Sequence, residues 1–243
     1  MKEEVNDLKH SFKPLSTSSI KSIGAVTFSG GTDVVKWIGT PLSFINNSWS
    51  GSCILKKTIT AQAQDFAMMF RLITSAGDRF TLSIRTGGYL NLRLRNADGT
   101  IQRELQTTGV PSLSDDVTSY YSWNPTLGVL NFVCKYGSNK EELTTNSLAS
   151  LLPYTGETTG LYFGNSYTGT YPYKGKMYGG TFAYRYNTLD ELSHLCDNEY
   201  LVPGTSFVSI PQLFGLVNTT TVREPNNHPL TVSVSNLSIF WTK

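Results

Sequence analysis

Charge, cysteine and histidine are all scarce in this chain of 243 residues. Charged residues make up 16% of it, and the 20 basic and 18 acidic side chains are spread along the sequence to a net charge of +2. Without a strong field of one sign there is nothing to gather polyanions, so nucleic acid is not an expected partner. The three cysteines, Cys53, Cys134 and Cys196, are too far apart for a zinc knuckle and odd in number for a closed disulfide framework. They read as buried thiols, since a free cysteine packs as a small hydrophobe. The histidines His10, His194 and His228 accompany no Gly-x-Ser-x-Gly elbow and no His-Glu-x-x-His helix, which argues against a serine or metal hydrolase. Phosphate-cradling glycine loops are absent too; Gly30-Gly31, Gly87-Gly88 and Gly179-Gly180 fit turns or bulges.

No stretch approaches the roughly 20 apolar residues of a membrane helix, so membrane insertion is not expected. The opening segment, Met1 to Lys13, mixes charges and lacks the apolar run of a signal peptide. The expectation is synthesis in a cytoplasm, with any surface location gained by assembly into a particle such as a virion. Without a secretory route, the sequons at Asn46, Asn218 and Asn236 carry no weight.

What the chain has in quantity is Gly, Thr, Ser, Asn and Tyr, the profile of many short strands joined by turns. Strand patterns recur at 25–28, 34–38, 53–59, 66–73, 129–136, 160–164, 179–186 and 230–241. The clearest unit is 79–106. Phe80, Leu82 and Ile84 alternate with polar residues, Gly87-Gly88 turns the chain, Leu90, Leu92 and Leu94 alternate again, and Asn96 to Gly99 turns into a third strand. That is an antiparallel meander with one dry and one wet face. Its arginines, Arg79, Arg85, Arg93, Arg95 and Arg103, fall on polar positions. They would suit acidic sugars or phosphate, but the low net charge favours a solvated face interleaved with acids.

One internal helix is predicted, at 188–196. Thr188 caps it, Asp190 and Glu191 sit in its first turn, and Leu189, Leu192, Leu195 and Cys196 share a stripe. Residues 1–22 differ from the rest. Val5, Leu8, Phe12 and Leu15 form an a/d seam of barely two heptads that Pro14 ends, and the run Ser16 to Ser19 reads as a linker. The expected organisation is therefore an N-terminal helical or extended arm over 1–22 followed by a single β-sandwich over 23–243. The arm would be a stalk remnant joining copies of the chain, with a trimer favoured, or docking it on a larger particle; a frayed turn packed on its own domain is equally compatible.

The block Gly160 to Gly164, then Tyr173 to Asn187, then Thr188 to Leu192 resembles the end of laminin-G-like, concanavalin A-like domains. In that family a strand ending in glycine is followed by a loop with an aromatic-x-Gly, a strand ending in Tyr-Asn, and a short helix at an acidic pair. The match covers roughly 157–196; the family's Trp-His-His-Val strand is not recognisable near Tyr120 to Trp123, and about 40 residues follow the helix. The resemblance implies an all-β, two-sheet antiparallel jelly-roll sandwich whose relatives bind carbohydrate or protein and sometimes hold calcium in rim loops. With an arm and no secretion signal, the chain also looks like receptor-binding or decoration modules of bacteriophage particles.

Glycoside hydrolases of that fold carry acids on alternate positions of one strand, so that both carboxylates enter one cleft. The acidic pairs here, Asp115-Asp116, Glu141-Glu142 and Asp190-Glu191, are adjacent and diverge, so no enzyme is expected. Aromatic surface remains. Asn165, Tyr167, Tyr171 and Tyr173, set among small polar residues, suit sugar rings, whose C–H faces stack on aromatics. Tyr120, Tyr121 and Trp123 form a second candidate, and Asn46, Asn47 and Trp49 a third, although tyrosines also cap sandwich ends. Asp33, Asp78, Asp98, Asp115 and Asp116 lie in predicted turns without a calcium-ligand spacing, so no cofactor is expected. The sequence-level conclusion is a non-catalytic module binding a glycan or cell-surface polysaccharide. A structural assembly domain and a polysaccharide-degrading enzyme are the alternatives.

Overall fold

The structure is a computed structural model; it describes residues 16–23, 25–30, 34–39, 48–58, 67–74, 79–95, 100–145, 158–164, 172–183, 185–203, 222–223 and 229–235. Fourteen strands and two helices are described. In chain order they are α1 (Thr17–Ile23), β1 (Val26–Ser29), β2 (Val34–Gly39), β3 (Trp49–Lys57), β4 (Ala67–Thr74), β5 (Arg79–Ile84), β6 (Leu90–Arg95), β7 (Ile101–Gln106), β8 (Val117–Asn124), β9 (Val129–Tyr136), β10 (Asn139–Thr144), β11 (Thr158–Phe163), β12 (Lys174–Ala183), α2 (Leu189–Asp197), β13 (Val222–Arg223) and β14 (Pro229–Ser235). They form a six-stranded sheet, β1-β12-β3-β8-β9-β10, and an eight-stranded sheet, β13-β14-β2-β11-β4-β5-β6-β7. Every pairing is antiparallel, as the jelly-roll expectation required.

Aromatic side chains meet between the sheets. Trp49 of β3 contacts Phe80 of β5 edge-on, with centroids 4.5 Å apart, and Tyr121 of β8 at 5.8 Å. Such T-shaped pairs set the positive ring edge against the negative face. Phe80, Leu82, Ile84, Leu90, Leu92 and Leu94 are all buried, so the dry face of the meander is the inner one. Cys53, Ser119 and Cys134 stand on one rung of β3, β8 and β9, and all three cysteines are free and buried. Burial pushes the Cys53 thiol up to about 12 despite its hydrogen bond with Ser119, which keeps it protonated and unreactive.

The outer face of the six-stranded sheet is covered by α2 and the chain beyond it. Leu192, Cys196 and Val202 pack on Tyr120 and Val133, and Leu201 packs on Ile54. α2 begins with the expected cap: Thr188 Oγ1 accepts from the Glu191 amide at 3.2 Å, and the Glu191 carboxylate accepts from the Thr188 amide at 2.8 Å. This reciprocal box satisfies two amides that a helix start leaves open.

Several expectations need correction. Residues 16–19 are not a linker, because Ser16 caps α1, its Oγ accepting from the Ser19 amide at 3.1 Å. That helix crosses the expected boundary at 22/23 and is fastened to the sandwich: the Thr17 amide donates to Glu199 O at 2.9 Å and Lys21 pairs with Asp116 at 2.8 Å. Three strands were not anticipated, β8, β10 and the two-residue β13. The seam at Val5, Leu8, Phe12 and Leu15 lies outside the described residues, and the predicted closing strand is described as β14, over Pro229–Ser235.

Candidate functional site

The sequence-based aromatic candidates fall into two groups. Asn165, Tyr167 and Tyr171 lie outside the described residues, as do Asn46 and Asn47. Tyr120, Tyr121, Trp123, Tyr173 and Trp49 are described and buried, which removes them as stacking platforms, because a ring without solvent-facing surface offers no face to a sugar. Tyr173 instead anchors the base of its loop. Its amide donates to Gly164 O at 2.7 Å, its hydroxyl donates to Lys56 O at 2.8 Å, and its ring meets Phe28 edge-on at 6.0 Å. Gly164 is required there: its φ is +79°, and a Cβ would fall 2.0 Å from the Phe28 ring.

Among the described residues, polar side chains and not aromatic ones mark the candidate site, and they lie on the outer face of the meander. With Phe80, Leu82, Leu92 and Leu94 inside, strand alternation sends Thr81, Ser83, Arg85, Asn91 and Arg93 outward. Register then places them in two rows across β5, β6 and β7: Thr81 beside Arg93 beside Glu104, and Ser83 beside Asn91 beside Gln106. Glu104 Oε1 is the common acceptor, taking Asn91 Nδ2 at 2.8 Å, Arg85 at 3.3 Å and Arg93. The basic face weighed from sequence is thus interleaved with an acid, although Arg103 leaves it and reaches Gly128 O at 3.4 Å.

Exposure falls steeply from rim to floor. The Arg85 and Glu104 side chains keep 28% and 31% of their surface, whereas Arg93 keeps 6% and Ser83 and Asn91 none. Burial alone would push the Glu104 carboxyl up. The hydrogen bonds from Arg93 and Asn91, with the charges of Arg93 and Arg85, outweigh it and hold the group ionised below the usual carboxylate range. Two buried atoms at the floor, Ser83 Oγ and Asn91 Oδ1, have no hydrogen-bond partner, and the described bonds of Glu104 all end on Oε1. A buried polar atom without a partner costs about 1–3 kcal/mol, so such atoms call for a water or ligand. Asn91 Oδ1 and Glu104 Oε2 only accept, and Ser83 Oγ accepts or donates. Ser83 and Asn91 are enclosed, so what this face offers a partner is the rim: the Glu104 carboxylate, positioned from below by Arg93 and Asn91, and the Arg85 guanidinium.

Sequence reasoning picked out the arginines of this face and passed over Ser83, Asn91 and Glu104. The alternation that places the leucines inward places these three together on the outside, and that was the available signal.

No protein-family model matches the chain, and no curated protein matches its sequence. Solved structures do match its fold. The native heptameric SAP-like pentraxin from Limulus polyphemus superposes at a TM-score of 0.55 with 12% identity, over 87% of this chain and 95% of that one. The CBM40 of the Ruminococcus gnavus IT-sialidase, solved bound to α2,3-sialyllactose, gives 0.52 and 16%, over 71% of this chain and 98% of the module. Full-length tailspike protein 2 from the Escherichia coli O157:H7 bacteriophage CAB120 gives 0.52 and 15%, over 78% of this chain and 26% of the tailspike. The chain has the concanavalin A-like jelly-roll fold of these structures.

Proposed function

We propose that this chain is a non-catalytic carbohydrate-binding module whose ligand face is the polar outer surface of β5, β6 and β7. The observation that carries the reading is the part-exposed pair at the rim, Arg85 and a Glu104 carboxylate whose Oε2 takes no described bond, set over the buried Arg93, Asn91 and Ser83. Sugar hydroxyls both donate and accept, which suits a carboxylate beside a guanidinium, and groups already fixed lose little entropy on binding them. The sialyllactose-bound CBM40 among the fold neighbours supports the same class of ligand. Among the described residues Glu104 is the one carboxylate hydrogen-bonded into this cluster, and glycoside hydrolysis ordinarily takes two, which supports binding over cleavage.

Display by a multimeric assembly is part of the proposal. Glu199, which receives the Thr17 amide, also pairs with Lys135 at 3.0 Å on the outer face of the six-stranded sheet. Ser16, where the described chain begins, therefore stands on the side opposite the meander. Residues 1–15 would join copies of the chain, and light scattering of the full chain against a variant lacking them reads the oligomer directly. The ligand test is a glycan array probed with the purified protein, Arg85→Ala and Glu104→Gln. Selective binding by the parent that falls about tenfold or more in both variants is expected. Binding that both variants retain overturns the assignment of the face, and a silent array with folded protein overturns the function.

A further inference from the structure

A second cavity opens on the other side of the molecule, where the chain turns into α2. It has a volume of about 340 Å³ and is lined by Arg185, Asn187, Asp190, Glu191, His194, Leu195 and Pro203. That size lies at the lower end of small-molecule sites. Asn187 lines it although only 1% exposed, and its place is fixed from four directions. Its amide donates to Ser50 Oγ at 3.0 Å and its carbonyl accepts from Ser122 Oγ and, at 3.2 Å, from Asn131 Nδ2. Its side-chain Nδ2 faces the Glu191 carboxylate at 3.4 Å. A carboxylate only accepts, so the Asn187 amide cannot be turned round, and Oδ1 is left buried with no partner.

The remaining lining decides the kind of ligand. Arg185 pairs with Glu191 at 3.6 Å, while Asp190 is exposed and enters no described hydrogen bond or ion pair. One guanidinium and two carboxylates sum to one negative charge, offset by the roughly half positive charge of the helix start. The cavity is close to electrically neutral, which disfavours both a strong anion and a strong cation. Leu195 and Pro203 add apolar wall beside these polar groups. We infer that this cavity is a separate site for one neutral hexose unit: Asn187 Oδ1 and the Asp190 carboxylate accept from its hydroxyls, Arg185 donates, and Leu195 and Pro203 cover its C–H surface. This site shares no residue with the meander face, and its assignment does not depend on the one made there.

The test is a titration of the isotope-labelled full chain with the methyl α-pyranosides of glucose, galactose and mannose, followed by amide chemical shifts. Saturable shifts confined to 185–195, to Pro203's neighbours and to the Asn187 side-chain amide are expected for at least one sugar. Asp190→Ala, an exposed substitution that leaves the Thr188–Glu191 box intact, should weaken that sugar about tenfold, while Glu104→Gln should leave it unchanged. Glucosamine at neutral pH should bind no better than glucose. Absence of saturable shifts with all three sugars, shifts that map only to β5–β7, or an Asp190→Ala variant that binds normally would each overturn the inference. Shifts in this cavity beside a silent glycan array would sink the meander assignment and keep this one.

Discussion

The outer faces of the two sheets carry the same kinds of side chain and use them differently. Under α2, the six-stranded sheet buries Ser50, Ser52, Ser122 and Asn131, and each finds a protein partner. Ser50 Oγ donates to Arg185 O at 2.7 Å, Ser52 Oγ bonds Thr181 Oγ1 at 2.6 Å and accepts the Val202 amide at 3.1 Å, and Asn131 Nδ2 reaches Tyr186 Oη at 3.0 Å and Asn187 O. Across the sandwich, Ser83 and Asn91 are as deeply buried and leave Oγ and Oδ1 unpartnered. A satisfied polar network rigidifies a fold, whereas an unsatisfied one is a cost that a ligand can relieve. The network of Ser50, Ser52, Ser122 and Asn131 is structural, whereas the meander cluster leaves polar atoms unmatched.

Replacing the equivalent amide on each face separates the two roles most sharply. Asn131→Leu should cost about 3 kcal/mol of folding stability, since Thr144 Oγ1 and Tyr186 Oη lose a partner and Asn187 O keeps only Ser122. Asn91→Leu should cost about 1 kcal/mol or less, because Glu104 keeps both arginines, yet it should weaken glycan binding, because Glu104 loses the amide that helps to position it. Denaturant melts and binding assays on the same two proteins check this. If Asn91→Leu proves as destabilising as Asn131→Leu, the meander cluster is structural as well.

Smaller effects follow the same division. Tyr173→Phe removes the hydroxyl bond to Lys56 O and should cost about 1 kcal/mol. Thr188→Ala breaks the capping box and should lower stability by about 1 kcal/mol, read in a thermal melt. Because the folded carboxyl of Glu104 lies below its ordinary value, its contribution is fully present above the unfolded value of about 4.3. That contribution is lost as the pH falls through the lower folded value. Glu104→Gln should flatten that part of the acid-stability curve, and an unchanged curve would remove Glu104 as its source.

Legibility in the sequence followed the one-sided or two-sided burial of each strand. β5 and β6 were readable because their inner faces are leucine-rich and their outer faces polar, which is the period-two signal. β8 was mistaken for exposed aromatic surface because both its faces are covered, Tyr121 by Phe80 of the opposite sheet and Tyr120 by α2. A strand buried on both sides shows no alternation. β10 hid for the opposite reason: it is an edge strand whose Lys140, Glu141 and Glu142 face solvent or partners on α2 and β9, and charge is how edge strands avoid further pairing. α1 hid because Ser16 and its serine neighbours look like a linker until Ser16 is seen to cap a helix. Of the ligand face, the arginines were visible, and their acid and amide partners emerged only from the register of β6 on β7.

The central claim is that the acceptors on the meander bind sugar hydroxyls while the fold stands without them. It is tested most directly by measuring glycan-array binding and melting temperature together for the parent chain and for Glu104→Gln. The expected result is a sugar signal lost in the variant with a melting temperature at neutral pH that moves by only a few degrees. A variant that keeps the full sugar signal, whatever its stability, would contradict the account.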